Sequence, residues 1–143
     1  MQGKVVALYI AKDDVSKTRE MVSTLDIDQY GIVGDKFYAK DIQRAILITS
    51  LDSYKLAHEN GIAIKEGMLG ENILIDINPY HLLPGQRFKI GETFLEITQN
   101  CTLCKGLSTL DSKLPKLLKN DRGIFAKVIN EASSIKIGDK VEF

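Results

Sequence analysis

The chain has 143 residues, 44% of them hydrophobic and 27% charged, with nineteen basic side chains against nineteen acidic ones. That length suits a single domain (residues 1–143) that can bury a core without a metal or a disulfide framework. The balanced charge argues against electrostatically driven nucleic-acid binding. No apolar run approaches the roughly 20 residues that cross a bilayer, and residues 1–10 lack the pattern of a signal peptide. We therefore expect a cytoplasmic protein with neither membrane nor nucleic acid among its partners.

The first half of the chain predicts short strands and one helix. Residues 5–10 are an apolar, largely β-branched run typical of a buried strand, and the loosely alternating residues 19–27 are interpreted as a second strand. Residues 45–49 predict a core strand. Ser50 then supplies a helix N-cap, and Gly61 marks the end of that helix.

The second half of the chain predicts further strands separated by glycine turns. Predicted strands cover residues 72–77, 87–90, 93–98 and 123–129, residues 114–119 predict a short helix, and residues 135–143 predict a final hairpin turning at Gly138 and Asp139. Strands and helices do not alternate regularly, so a doubly wound parallel sheet is not expected. The pattern favours a mainly β fold, an antiparallel sheet closed into a barrel, with one or two short helices.

The two cysteines, Cys101 and Cys104, follow directly after a predicted strand. A thiolate is the form of cysteine that attacks electrophiles and binds metals, and a lysine beside the thiol, here Lys105, favours that form. The alternative is that both cysteines are small buried residues at the end of a strand. A closed zinc site would need His58 and His81 to converge on the pair, and a thioredoxin-like dithiol would need a βαβ context that the pattern does not supply.

Three further segments carry polar residues that suit a ligand-binding site. In the sequence Gly-Met-Leu-Gly-Glu-Asn at residues 67–72, the glycines let backbone amides approach an anion, with Asn72 as a further donor; alternatively, Glu71 caps amides of its own turn. Asp35 either bonds amides of its own turn or faces a ligand. Arg122 can clamp a phosphate or carboxylate, although an ordinary surface arginine gives the same pattern.

Taken in order, several segments of the chain resemble the MOSC family, the domain found at the carboxyl end of molybdenum-cofactor sulfurases and as small stand-alone bacterial proteins. These segments are Gly-Ile-Val-Gly-Asp (31–35), Ile-Thr-Ser (48–50), Gly-Met-Leu-Gly-Glu-Asn-Ile (67–73), Leu-Pro-Gly-Gln-Arg-Phe-Lys-Ile-Gly (83–91), Cys104, Arg-Gly-Ile-Phe-Ala-Lys-Val (122–128) and Ile-Gly-Asp (137–139). The resemblance spans nearly the whole chain.

The resemblance implies a MOSC-type β-barrel with Cys104 as the reactive cysteine, which carries sulfur as a persulfide or ligates molybdenum. It implies a molybdenum cofactor of the molybdopterin type. Pyridoxal phosphate enters only through relatives fused to a desulfurase domain that uses it. We expect a separate sulfur donor, such as a cysteine desulfurase, and a molybdenum-cofactor enzyme as acceptor.

We hypothesise that Cys104 lies at the mouth of the barrel. Cofactor-binding groups are then expected at five positions around it: Asp35, Glu71, Asn72, Lys105 and Arg122.

Two departures from the family pattern and three rival functions remain open. Leu103 stands where the family often has proline, beside the additional Cys101, and Phe37 stands where a histidine or another polar residue is frequent. The rivals are a non-catalytic binding or adaptor barrel with structural cysteines, a zinc-bridged oligomer, and a reductase of N-hydroxylated compounds like larger relatives.

Overall fold

The computed structural model of the protein describes residues 1–12, 19–102 and 106–143. Its strands are mostly short: β1 (Gln2–Ile10), β2 (Glu20–Val22), β3 (Thr24–Asp28), β4 (Gly31–Ile32), β5 (Ile46–Ser50), β6 (Ile73–Ile75), β7 (Arg87–Ile90), β8 (Thr93–Asn100), β9 (Ile124–Val128), β10 (Ala132–Lys136) and β11 (Lys140–Glu142). The described helices are α1 (Leu51–Glu59), α2 (Leu107–Leu110), α3 (Leu114–Leu117) and a 3-10 helix at Ile42–Arg44. The predicted mainly β fold with short helices is confirmed.

Seven of the described strands close into a barrel in the order β1–β11–β7–β8–β9–β5–β6, and β6 returns to pair with β1. Neighbouring strands of this ring are antiparallel except β5 and β6, which are parallel because α1 and the loop after it form a crossover between them. The register of β8 against β9 shifts between Ile97 and Gln99. Such an irregularity bends a strand and helps a sheet to close.

A three-stranded sheet of β10, β3 and β4 lies beside the barrel and corrects one prediction. Residues 19–27 were expected to form one strand, but they form β2, which pairs with β1, and β3, which pairs with β10. The prediction of a single strand is wrong because the two halves bury different faces: Glu20 and Met21 are exposed, whereas β3 buries alternate residues Leu25 and Ile27.

The prediction of a carboxyl-terminal hairpin is also wrong. The chain does turn at Gly138 and Asp139, but β10 then pairs with β3, whereas β11 pairs with β1 and β7. The reason is that β1 bonds to the turn itself. The Val5 carbonyl accepts from Gly138 N at 2.9 Å, and Val5 N donates to the Asp139 carbonyl at 2.9 Å. The turn therefore delivers its two strands to different sheets.

Two apolar clusters account for most of the core. The larger one draws buried residues from every strand of the barrel and from the three-stranded sheet, and the smaller one joins all three α-helices to the outer face of β1 and β6. In β6, Ile73 and Ile75 belong to the first cluster and Leu74 to the second. A strand buried on both faces explains the continuous apolar run in its sequence.

The predicted helix cap is confirmed at the start of α1. Ser50 adopts an extended backbone and its side chain accepts a hydrogen bond from Asp52 N, as an N-cap does, while Asn60 and then Gly61, with a φ of +75°, end the helix. The cap fixes α1 directly after β5, which places the buried Ser53 and Tyr54 against the core. Among the described residues, no helix combines the length and apolarity needed to span a bilayer.

Candidate ligand-binding site

A cavity of about 300 Å³ lies where β5, β8 and β9 meet the loops before β6 and after β4. Its described wall contains four cationic side chains, from Arg19, Lys40, Arg44 and Arg122, against the single carboxylate of Asp41. A concave wall with this excess of positive charge favours an anionic ligand.

Two aromatic side chains in the same wall lie against its cations. The guanidinium carbon of Arg19 lies 5.7 Å from the centroid of the Phe37 ring, and that of Arg44 lies 5.9 Å from the centroid of the Phe125 ring. These distances are within the range of cation–π attraction. Phe37 therefore contributes an aromatic face at the position where a polar residue is frequent in the family.

Asn72 ties the loop before β6 to two barrel strands. Its side-chain oxygen accepts a hydrogen bond from Leu47 N at 3.0 Å, and its amide nitrogen donates to the Tyr9 carbonyl at 3.4 Å. Its backbone continues both connections, donating to the Leu47 carbonyl at 2.9 Å and accepting from Tyr9 N at 2.8 Å. Asn72 lines the cavity, as predicted for the site, and its polar atoms hold the cavity wall in place.

Arg122 also lines the cavity, and buried hydroxyl groups hold its backbone. Its carbonyl accepts from Thr49 Oγ1 at 2.9 Å and from Tyr80 Oη at 3.3 Å. Its guanidinium donates to the Leu69 carbonyl from Nε at 3.2 Å and from Nη2 at 2.9 Å. The arginine is thus fixed at both ends, as a group that orients a ligand should be.

Arg19 is a residue of this wall that the sequence analysis did not single out as a ligand group. It precedes β2, its side chain is only 19% exposed, and its Nη1 lies 4.0 Å from Asp35 Oδ1. Burial lowers the pKa of the Arg19 guanidinium, an effect that Asp35 and Glu71 oppose and Arg122 reinforces. A lone arginine in a loosely alternating stretch belongs to no motif, so no sequence signal distinguished it.

Asp35 adopts the turn geometry that the sequence analysis offered as its first alternative. Its Oδ2 accepts from Phe37 N at 3.0 Å within its own turn, and its Oδ1 accepts from Ala11 N at 2.8 Å. The carboxylate is buried. Asp35 therefore lies behind the cavity wall and acts on it through Arg19.

Glu71 is fully buried within the same loop. Its Oε2 accepts from Tyr54 Oη at 2.5 Å and from Gly67 N at 3.1 Å, which is the capping of neighbouring amides considered above. Burial raises the pKa of the Glu71 carboxyl, and these hydrogen bonds oppose the rise. Among the described residues, Glu71 Oε1, Tyr9 Oη and Arg19 Nη1 are buried without a hydrogen-bond partner.

Cys101 contributes a thiol to the cavity wall. It is 2% exposed, packs with Leu47 and Phe125, and donates from its backbone nitrogen to the Gly123 carbonyl at 2.9 Å. Cys104 and Lys105, the predicted reactive cysteine and its neighbour, lie outside the described residues. The described part of the predicted site therefore divides in two: Asn72 and Arg122 line the cavity, whereas Asp35 and Glu71 lie behind it.

A second cavity of about 460 Å³ adjoins the first and shares Arg19 and Gly70 with it. Tyr9, Lys65 and Gly67 are also in its wall. In residues 1–12, 19–102 and 106–143, no group of three or more histidine, cysteine, aspartate or glutamate side chains is placed to hold a metal ion.

The model of the MOSC domain family matches residues 34–142, which is most of the chain. The chain belongs to the MOSC domain family. This family is associated with molybdenum-cofactor and sulfur-related functions. The match begins at Gly34, so Arg19 precedes the segment that defines the family. No curated protein matches the chain in sequence.

Solved structures share the MOSC fold seen here. The YuaD protein from Bacillus subtilis is 23% identical, with 99% of this chain and 95% of that one covered and a TM-score of 0.83. YiiM from Geobacillus stearothermophilus is 15% identical, with 98% and 74% covered and a TM-score of 0.76. YiiM from Escherichia coli is 20% identical, with 99% and 69% covered and a TM-score of 0.73. At these identities the likeness supports the fold alone.

Proposed function

We propose that this MOSC domain binds a molybdenum cofactor of the molybdopterin type or carries sulfur, with Cys104 as the working thiolate in either role. The observation that carries the proposal is the cationic cavity with Cys101 in its wall. Cys101 stands three positions before Cys104 in the sequence. A thiol segment adjoining a cation-lined cavity suits a ligand that combines negative charge with metal or sulfur chemistry.

The donor set of the cavity fits such a cofactor. A molybdopterin carries a phosphate, for which Arg19 and Arg122 supply guanidinium groups, and a flat ring system, for which Phe37 and Phe125 supply aromatic faces. Asn72 fixes the loop between them. When bound, the molybdenum centre would supply oxygen- or sulfur-transfer chemistry, and the chain's own residues would bind and orient it.

For the sulfur-carrier role, the chemistry requires only a thiolate and a donor persulfide from a separate protein such as a cysteine desulfurase. The Cys104 thiolate attacks the outer sulfur of the donor persulfide, a new sulfur–sulfur bond forms, and the donor leaves as its thiolate. An anionic sulfur species that enters the cavity would be favoured by the positive charge of Arg19, Arg44 and Arg122. A molybdenum-cofactor enzyme is the proposed acceptor.

Replacing Cys104 by serine tests the proposal, with Cys101→Ser as the matched control. The proteins are isolated anaerobically from the native host and analysed for molybdenum, zinc and cyanide-labile sulfane sulfur, before and after incubation with glutathione persulfide. We expect Cys104→Ser to lose the molybdenum or the sulfane sulfur that the parent holds, and Cys101→Ser to keep it.

Equal molybdenum and sulfane sulfur in Cys104→Ser and the parent would overturn the proposal. Two thiols that resist labelling in the folded protein would then favour the adaptor barrel. Stoichiometric zinc, lost together with an oligomer on chelation, would favour the zinc-bridged assembly.

A further inference from the structure

One stretch of chain, residues 33–44 between β4 and β5, bounds the first cavity on its exposed side. Of the described residues that line this cavity, the exposed ones are Phe37, Lys40, Asp41 and Arg44, and all four belong to this stretch. The other described lining residues are buried or half-buried. A molecule that reaches the cavity from solvent therefore meets residues 33–44, which we call the rim loop.

The rim loop exposes large apolar side chains beside its charged ones. Val33 is 49% exposed, Phe37 43% and Ile42 43%, so the loop holds three of the eleven large hydrophobic side chains that the described residues expose. Single surface hydrophobics need no explanation, whereas a group of them beside a cavity marks an interaction surface. Aromatic residues and arginine, present here as Phe37 and Arg44, are enriched at protein–protein interfaces.

Hydrogen bonds hold the rim loop in one shape before any partner binds. The buried carboxylate of Asp35 accepts from Phe37 N at 3.0 Å and from Ala11 N at 2.8 Å, and Ala39 N donates to the Tyr30 carbonyl at 3.0 Å. Ala39 has a φ of +60°, which no other non-glycine residue in the described part of the chain adopts above zero. Such strain is frequent at functional sites. An ordered loop loses little entropy when a partner covers it.

We propose that the rim loop is the docking surface for a protein that donates sulfur to this domain, and that the donor surrounds its persulfide-bearing cysteine with acidic and apolar residues. The proposal rests on the sulfur-carrier form of the proposed function. In that exchange the outer sulfur and its proton pass to the Cys104 thiolate, and the donor cysteine leaves as a thiolate. Attack needs the two sulfurs within roughly 3–3.5 Å. The donor must therefore rest on the cavity entrance.

Charge favours an acidic protein surface as the partner. Lys40 and Arg44 give the exposed rim two positive charges against the single carboxylate of Asp41, which lies 3.9 Å from Arg44 Nε. The whole chain balances nineteen basic with nineteen acidic side chains, so this excess is local, whereas nucleic-acid binding needs a longer basic stripe. Acidic residues around the donor cysteine would steer the donor to the rim, and apolar residues beside them would cover Val33 and Ile42.

The docking surface is tested by titration calorimetry of the full chain with the cysteine desulfurase of the native host. We expect Ile42→Asp and Val33→Asp each to weaken binding roughly tenfold or more, because each removes an apolar contact and sets a carboxylate against an acidic surface. Neither residue is in the described cavity wall. Ile137→Asp is the matched control and should bind as the parent does, since Ile137 is 47% exposed and belongs to neither the rim loop nor that wall.

Transfer kinetics separate docking from the chemistry of the thiol. Sulfane sulfur on the chain is followed with two donors, the persulfidated desulfurase and glutathione persulfide. We expect Ile42→Asp to slow transfer from the desulfurase roughly tenfold or more and to leave transfer from glutathione persulfide unchanged, because the small donor needs no docking surface. Added salt should slow association with the desulfurase. Circular dichroism confirms that the variants are folded.

The outcomes distinguish this inference from the proposed function. No binding of the desulfurase by the parent, or equal binding by the parent, Ile42→Asp and Val33→Asp, overturns the docking surface whatever Cys104 does. Binding that depends on the rim loop, together with a Cys104→Ser variant that holds sulfur as the parent does, upholds the docking surface and overturns the thiol chemistry. Self-association of the parent that Ile42→Asp abolishes, measured by analytical ultracentrifugation, identifies a second copy of the chain as the occupant and overturns the assignment to a sulfur donor.

Discussion

The loop before β6 separates two polar regions that differ in what their charged groups bond to. On one side, the buried carboxyl site (Tyr54, Gly67 and Glu71) joins its groups to one another, with Tyr54 Oη and Gly67 N both donating to Glu71 Oε2. On the other side, the guanidinium groups of Arg19 and Arg122 lie in the cavity wall beside Gly70. Gly70 and Glu71 are adjacent in the chain, yet Gly70 lines the cavity and Glu71 belongs to the buried carboxyl site.

The difference indicates which side stabilises the fold and which side meets a ligand. A buried hydrogen-bonded group contributes to stability, and its loss leaves partners unsatisfied. Like charges held together and aimed into a cavity cost stability, which is the usual property of a binding site. The buried carboxyl site therefore supports the loop, and the loop places Gly70 and Asn72 in the cavity wall.

The largest expected effect on stability is that of Glu71→Ala. Removing the carboxyl leaves the buried Tyr54 hydroxyl without its acceptor, while Gly67 N keeps its hydrogen bond to Tyr54 Oη; the free energy of unfolding should fall by about 3 kcal/mol. Urea unfolding followed by circular dichroism measures the change. Glu59→Ala, at the exposed end of α1, is the control and should change little. Equal midpoints and slopes for the two variants would show that the buried carboxyl site does not stabilise the loop.

A smaller effect is expected from Tyr80→Phe, because it acts on the cavity wall through the backbone of Arg122. Tyr80 Oη accepts from Ser50 N at 2.8 Å and donates to the Arg122 carbonyl at 3.3 Å. Its loss should cost about 2 kcal/mol of stability and also reduce the molybdenum or sulfane sulfur that the protein holds. Thr49→Val removes the other hydroxyl bonded to that carbonyl and should cost about 1 kcal/mol.

Tyr30→Phe, at an exposed tyrosine, is the control for this pair. If Tyr80→Phe loses stability but holds molybdenum and sulfane sulfur as the parent does, the hydroxyl groups stabilise the fold without positioning Arg122. The stability of the fold and the positioning of the cavity wall would then be independent of each other.

Local patterns in the sequence predicted much of the barrel, and the two wrong predictions share one cause. β5, β7 and the cap of α1 are specified by residues close together in the chain: an apolar run, an alternation and a serine before a helix. The single strand at 19–27 and the final hairpin were wrong because neighbouring segments join different sheets. That choice is made by partners distant in sequence, such as Val5 at the turn of Gly138.

The candidate site was predicted unevenly for a similar reason. Asn72 and Arg122 lie in recognisable segments and line the cavity, whereas Asp35 and Glu71 adopt the structural alternatives that the sequence offered for them. Arg19 was missed because its significance comes from a place in space, opposite Gly70 and Arg122, that no spacing along the chain encodes. Gly70 was predicted as a point where other groups come close to the backbone. The sequence did not predict which groups these are.

The smallest effect, and the sharpest test of the buried carboxyl site, is the pH dependence of stability. Burial raises the pKa of the folded Glu71 carboxyl above its ordinary value of 4.5. The folded state therefore binds this proton more tightly than the unfolded state, so its contribution to stability is complete below 4.5 and declines as the pH rises through the folded-state pKa. Glu71→Gln cannot titrate, so the parent's stability minus that of Glu71→Gln should fall with pH across this window.

The protonation states of three ionisable groups around Glu71 decide how the sign of this pH dependence is interpreted. Tyr54 stays neutral in that window because burial raises its pKa, and the pKa of Tyr9 is raised to about 12, so neither phenol titrates there. Arg19 stays charged and opposes the rise at Glu71, as the hydrogen bonds from Tyr54 and Gly67 do. The comparison is measured by urea unfolding at a series of pH values, with Glu59→Gln giving a flat difference as control. A difference that rises with pH would mean that the ionised carboxylate is the form held by Tyr54 and Gly67, and it would contradict a raised pKa for Glu71.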